Sequence, residues 1–74
     1  MIAKLRGMID QIGEDFAIID VSGVGYIVYC PTKVLNKLSS KGQLDEVLIE
    51  TIVREDQITL YGFKEEKEKY WFGL

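Results

Sequence analysis

The chain has 74 residues, 47% hydrophobic and 28% charged, and these values are typical of one small globular domain. Histidine is absent and cysteine occurs once, which excludes the commonest general base, a Cys/His zinc cluster and an internal disulfide. The net charge of -3 has the wrong sign for a domain that binds nucleic acid by itself through phosphate contacts.

Segment composition also predicts the compartment. No apolar run approaches the roughly 18 residues of a transmembrane helix, so no membrane partner is expected. Lys4 and Arg6 interrupt the apolar residues near the N-terminus, which is unlike a signal peptide. The single Cys30 lies in an apolar run, which favours a buried, inert thiol in a reducing compartment. We therefore predict a cytoplasmic protein with no metal site and no cofactor.

The first strand is predicted over residues 2–9, where side chains alternate between two faces. Its core face is expected to carry the smaller and apolar residues Ala3, Leu5, Gly7 and Ile9. Lys4 and Arg6 then project together from the outer face, either as a solvated surface or as a weak basic patch. Residues 10–15 are predicted to form the turn that follows.

The second and third strands are predicted over residues 16–21 and 25–30, joined by a tight turn at residues 22–23. The second strand is almost wholly apolar, which indicates a central position. Tyr26 and Tyr29 fall on opposite faces of the third strand by alternation. A third strand of this kind is a poor platform for stacking the bases of single-stranded nucleic acid.

A short helix is predicted over residues 32–38, with Thr32 as a possible N-cap. The fourth and fifth strands follow over residues 45–53 and 57–61. The order of three strands, one helix and two strands is that of the OB-fold, a five-stranded Greek-key barrel. The predicted fold class is therefore all-β, with a short helix between the third and fourth strands and the start of a C-terminal helix.

The last two strands are predicted to form a β-hairpin. Residues 47–53 and 58–61 are rich in β-branched residues, and the polar residues 54–57 join them. The tip therefore presents two adjacent carboxylates, Glu55 and Asp56, away from the sheet. From composition alone, solvation of the turn is a sufficient explanation of these charges.

Three motifs distributed along the chain add to this interpretation. They are MIAKLRG at residues 1–7, GVGY at residues 23–26 and VREDQITLYGF at residues 53–63. With these motifs the chain resembles the N-terminal domain of the RuvA family over essentially its whole length. Members of that family are bacterial subunits that bind Holliday junctions during branch migration in recombination and repair. The resemblance independently implies the OB-fold.

The resemblance also implies roles for the hairpin tip. Glu55 and Asp56 fall on the family's acidic pin, which is expected to repel phosphates and help separate strands at the crossover. Arg54 is a candidate contact to a backbone phosphate, and a salt bridge to Glu55 or Asp56 is the equally weighted alternative. No catalytic residue is expected, since RuvA is the non-catalytic partner of the ATP-dependent helicase motor RuvB.

The resemblance further predicts the context of the chain. Residues 1–63 are expected to be the OB-fold domain, and residues 64–74 the start of a helix leading to an absent helix-hairpin-helix domain. The expected partners are four-way junction DNA, a homotetramer of the subunit, and the motor through an absent third domain. The alternative hypothesis is a stand-alone OB-fold protein-interaction module without a DNA role.

Overall fold

Alternation of buried and exposed side chains produces five strands, and one short helix connects the third strand to the fourth. A computed structural model of the chain describes residues 2–67. The elements, in chain order, are β1 Lys4–Ile12, β2 Phe16–Val21, β3 Val24–Tyr29, α1 Thr32–Leu35, β4 Leu44–Arg54 and β5 Gln57–Phe63. The predicted number and order of elements are confirmed, and the bounds of β2 agree with the prediction.

The strands close into a barrel in the order β1-β2-β3-β5-β4. All neighbouring strands are antiparallel except β3 and β5, which run parallel through the pairs Val28–Leu60 and Tyr29–Tyr61. Pairing of β1 with β4 completes the circle. Closure pairs the strand edges that an open sheet would expose. This strand order confirms the predicted OB-fold.

The core holds residues from all five strands and from α1. The buried hydrophobic residues are Leu5, Ile9, Ala17, Ile19, Val28, Cys30, Val34, Leu35, Val47, Ile49, Leu60 and Phe63. The predicted core face of β1 is confirmed at Leu5, Gly7 and Ile9, which are buried. It is wrong at Ala3, which is exposed and precedes the first residue of β1, Lys4.

The first strand is longer than predicted because a β-bulge lies between Ile9 and Gln11. A bulge adds one residue to a strand and bends it, so that pairing continues on the far side. Residues 10–12, predicted as turn, therefore remain in β1. The turn shortens to residues 13–15 and is closed by a 2.8 Å hydrogen bond from the Gly13 amide to the Phe16 carbonyl oxygen.

Ser22 and Gly23 form the whole turn between β2 and β3. Their φ angles are 53° and 89°, as a two-residue hairpin turn of left-handed residues requires. The Gly23 amide also donates a 2.7 Å hydrogen bond to Oδ1 of Asp20. Because the turn is this short, β3 begins at Val24, one residue earlier than predicted.

The helix is shorter than predicted, and its N-cap lies one residue earlier than predicted. Pro31 is the N-cap, with no side-chain capping bond, so the assignment of Thr32 as N-cap is wrong. Val34 and Leu35 are buried and anchor the single turn in the core. The amides of Lys37 and Leu38 bond to carbonyl oxygens three residues back, the spacing of a 3₁₀ turn, and this tighter turn ends the α-helix.

Gly62 allows close packing of three strands inside the barrel. A β-carbon there would lie 2.6 Å from Cγ1 of Val28 and 2.9 Å from both Sγ of Cys30 and Cγ1 of Val47. Real β-carbons do not approach other atoms so closely. Glycine therefore lets β5 pass against β3 and β4 at this point.

A polar network fixes the chain as it leaves β5. Lys64 Nζ donates to Oδ1 of Asp45 and, at 3.1 Å, to the Glu46 carbonyl oxygen. The amides of Ser39 and Glu46 each donate to the same carboxylate at 2.7 Å. Partial burial by itself raises the pKa of Asp45, but these hydrogen bonds outweigh it and hold the pKa below its ordinary value.

The predicted C-terminal helix is described only at its beginning. Glu66 and Lys67 are helical, and Glu65 just before them pairs with Lys37 at 3.7 Å. Residues 68–74 of that prediction lie outside the described residues. Within residues 2–67, no helix is long and apolar enough to cross a membrane.

Candidate nucleic-acid interface

The β4–β5 hairpin carries the site residues predicted from the sequence. Its ladder runs without a break from the pair Leu48–Phe63 to the pair Arg54–Gln57. Leu60, opposite Thr51, is the last buried residue of β5 toward the tip. Three further pairs extend past this point, a projection of about 10 Å at roughly 3.3 Å per residue.

Glu55 and Asp56 form the entire turn at the tip of this hairpin. Both side chains are exposed, as predicted. Glu55 has a φ angle of 51°, a left-handed conformation that costs an ordinary side chain about 1–2 kcal/mol. The tight turn imposes this angle, because a two-residue link between twisted strands requires positive φ at its first residue. The two carboxylates are thus held on a short, well-paired support.

Arg54 lies directly below the tip and pairs across the hairpin with Gln57. Its side chain is exposed. In the described part of the chain, no ion pair joins Arg54 to Glu55 or Asp56. The predicted alternative, a salt bridge within the tip, is therefore not formed, and the guanidinium group faces solvent.

The projecting part of the hairpin has two unlike faces. Val53 and Ile58 are paired on one face and are 59% and 69% exposed. Arg54, by strand alternation, lies on the opposite face. There a groove of about 180 Å³ is lined by Ile52, Arg54, Gln57, Thr59 and Tyr61.

A larger cleft continues this groove along the barrel, and we name it the tyrosine cleft. It has a volume of about 460 Å³, and its lining includes Asp15, Tyr29, Pro31, Thr59, Tyr61 and Phe63. The ring centroids of Tyr29 and Tyr61 are 6.2 Å apart, and their planes are tilted by 44°. Since Thr59 and Tyr61 line both cavities, one continuous surface runs from below the tip to the end of β3.

The tyrosine cleft was not predicted from the sequence. The predicted separation of Tyr26 and Tyr29 is confirmed, since Tyr26 packs against the core and Tyr29 is 40% exposed. However, the aromatic neighbour of Tyr29 comes from β5, through the parallel pair Tyr29–Tyr61. The closure of β3 against β5 in the predicted OB-fold was the signal that could have brought these residues together.

Lys4 and Arg6 do not form a strong basic patch. Both side chains are exposed on β1, as predicted. Glu46 lies on the neighbouring strand, in register with Arg6 and 3.8 Å from Nζ of Lys4. A carboxylate between the two cations offsets their charge, so this face corresponds to the solvated alternative.

Cys30 is buried, as predicted from its apolar surroundings in the sequence. Burial raises the pKa of its thiol to about 11, against a smaller lowering effect of a hydrogen bond with the Gly62 backbone. The thiol donates toward the Val28 carbonyl oxygen at 3.7 Å. A protonated, enclosed sulfur is a weak nucleophile.

Comparison with known proteins gives consistent matches. The family model described as the RuvA N terminal domain matches residues 1–62. The chain is 54% identical over 74 residues to the Holliday junction branch migration complex subunit RuvA of Methylobacterium radiotolerans and to that of Sinorhizobium fredii. It is 51% identical to the subunit of the same name from Methylorubrum populi. Each match covers 100% of this chain and 36% of the relative, so the chain spans about a third of their length.

Proposed function

Because the chain belongs to the RuvA N-terminal domain family, we propose that it is the part of a junction-binding subunit that lies at the crossover of four-way DNA. The observation that carries this proposal is the tip formed by Glu55 and Asp56. Both carboxylates are exposed, and the pair Arg54–Gln57 directly below them ends the ladder that supports their turn. The subunit acts in the cytoplasm as a non-catalytic component of the branch migration machinery.

The tip acts by repulsion. A carboxylate about 4 Å from a phosphate costs roughly 1–4 kcal/mol between bulk-water and protein-surface dielectrics. Glu55 and Asp56 therefore direct the DNA backbones away from the hairpin. This repulsion helps keep strands apart while they exchange partners, and it disfavours a continuous duplex across the same point.

The subunit works as a homotetramer, which multiplies the effect. Four chains around one axis place four tips at the junction centre, with two carboxylates from each. Repulsion is then strongest where the four DNA arms meet. The symmetry of the protein matches the four arms of its substrate.

Attraction to DNA comes mainly from outside this chain. The net charge is -3, and Glu46 offsets Lys4 and Arg6 on β1. Phosphate affinity needs clustered cations, and the helix-hairpin-helix domain expected in the whole protein provides them. A third domain contacts the motor subunit. Within the chain, Arg54 is the proposed phosphate contact, since its exposed guanidinium group lies next to the repelling tip.

The proposal is tested by neutralising the tip in the full-length protein. Glu55→Gln combined with Asp56→Asn is expected to bind duplex and junction at least as tightly as the parent, with weaker discrimination between them. Affinities are measured by fluorescence anisotropy over a salt series. The gain should fade with added salt, because exposed charges are screened over about 8–10 Å at physiological ionic strength.

The matched control is Asp10→Asn combined with Glu14→Gln, which removes the same charge from exposed positions away from the tip. This control should leave discrimination unchanged. A folded tip variant that loses junction affinity would refute repulsion, because the carboxylates would then be acting as DNA ligands. Junction binding that does not require residues 1–63 would favour the protein-interaction module instead.

A further inference from the structure

The tyrosine cleft offers a flat aromatic surface to a ligand. The Tyr29 ring is 40% exposed, and it lies beside Tyr61 across the parallel pair of β3 and β5. The volume of about 460 Å³ is within the range of roughly 300–1,000 Å³ of small-molecule sites. With rings 6.2 Å apart and tilted by 44°, the two tyrosines cannot sandwich a planar group. A planar ligand would instead stack on the open face of one ring.

The polar groups of the cleft suit the edge of a nucleobase and not a phosphate. Asp15 lines the cleft, and its backbone is fixed there because its carbonyl oxygen accepts a 3.0 Å hydrogen bond from the Cys30 amide. A carboxylate repels phosphate but accepts from the amino groups of cytosine or adenine. Thr59 also lines the cleft, and its hydroxyl group can donate or accept a hydrogen bond.

A cationic side chain lies on the same continuous surface. Arg54 lines the smaller groove, which shares Thr59 and Tyr61 with the tyrosine cleft. A nucleotide whose base occupied the cleft would place its backbone toward the guanidinium group. The carboxylates of Glu55 and Asp56 follow Arg54 at the tip, where they would repel the next phosphate.

From this juxtaposition we propose that the tyrosine cleft binds one unpaired nucleobase from the strand that the tip displaces at the crossover. Tyr29 supplies the stacking surface, Asp15 accepts from the base amino group, and Arg54 holds the adjoining phosphate. This inference rests on the proposed function, since the base becomes unpaired at the junction centre. It adds an attractive step to the repulsion at the tip.

The test is photochemical cross-linking of the full-length protein to a four-way junction. One junction carries 5-iododeoxycytidine at the crossover, and a second carries it in the middle of a paired arm. We expect cross-links from the crossover position to Tyr29 or Tyr61, at least tenfold above those from the arm. Tyr26 is the internal control, because it is on the opposite face of β3 and packs against the core.

Affinity measurements provide a second readout. Stacking of a base on an aromatic side chain is lost when Tyr29→Leu is made, so affinity for a junction with one unpaired cytosine at the crossover should fall roughly tenfold. Affinity for a fully paired duplex should change less than about twofold by the same reasoning. Tyr29→Phe keeps the ring and should retain the affinity of the parent.

The outcomes separate the two proposals. Junction binding with no cross-link to Tyr29 or Tyr61 would overturn the base site alone. Cross-links to those tyrosines from the paired arm would also overturn it. Failure of the full-length protein to bind junctions would overturn both proposals.

Discussion

Arg54 and Gln57 face each other as the last paired residues of the β4–β5 hairpin, and this pairing leaves Glu55 and Asp56 as the entire turn. The ladder thus ends in a two-residue turn that carries both carboxylates, and the first of them, Glu55, has a left-handed backbone. Charge and backbone strain coincide at Glu55. Strain of this kind persists where surrounding structure enforces it, and it is common at functional sites.

The strain at Glu55 predicts a stabilising substitution. Glu55→Asn should raise the free energy of unfolding by roughly 0.5–1 kcal/mol, because asparagine tolerates the left-handed region better than glutamate. Urea unfolding of the 74-residue chain measures the change. Asp56→Asn is the matched control, since it removes the same charge from a residue without positive φ. Equal stabilisation by both substitutions would show that charge, and not backbone strain, is responsible.

The close approach of neighbouring atoms to Gly62 predicts a destabilising substitution. Gly62→Ala should lower the free energy of unfolding by roughly 1–3 kcal/mol, as overpacking of a core typically does. The new methyl group would meet Val28 at 2.6 Å. Gly25→Ala is the control, because its nearest contact is Ile18 at an ordinary 3.4 Å. Thermal unfolding measures the difference. Equal midpoint temperatures for Gly62→Ala and Gly25→Ala would contradict close packing at Gly62.

The hydrogen bonds to Asp45 predict a dependence of stability on pH. Because the pKa of Asp45 is lower in the folded chain, its contribution is present above the unfolded pKa of about 3.9 and is lost as pH falls through the folded value. Asp45→Asn should cost roughly 1 kcal/mol at neutral pH. The deficit relative to the parent should shrink below about pH 4. Urea unfolding at several pH values tests this, and a deficit that grows in acid would reverse the assigned sign.

The charge balance predicts weak binding by the chain alone. With a net charge of -3 and no strong basic patch among residues 2–67, the 74-residue chain should bind four-way junctions only weakly at physiological salt. Fluorescence anisotropy with labelled junctions measures this directly, and the full-length protein is the positive control. A submicromolar, salt-sensitive affinity of the chain by itself would mean that its own cations suffice for DNA binding.

Local patterns in the sequence predicted most of the strands and the place of the tip. Alternation identified Leu5, Gly7 and Ile9 as the core face of β1, because side-chain direction in a strand depends only on position along it. Two β-branched runs around a polar link located Glu55 and Asp56 for the same local reason. Family motifs then added the acidic pin, whose role remains a prediction.

Other features were decided by contacts between residues distant in the sequence. The bulge after Ile9 kept residues 10–12 in β1, because pairing with β2 continued beyond it. The parallel pairing of β3 and β5 brought Tyr61 beside Tyr29.

The sequence by itself therefore determined the number and order of the strands, which face most of their residues present and where the charged tip lies, since these follow from short-range alternation and turn chemistry. Only the tertiary structure decided that residues 10–12 continue β1 beyond its bulge, and that two tyrosines share a cleft. Strand register and barrel closure set these relationships, and both depend on pairing across the whole chain.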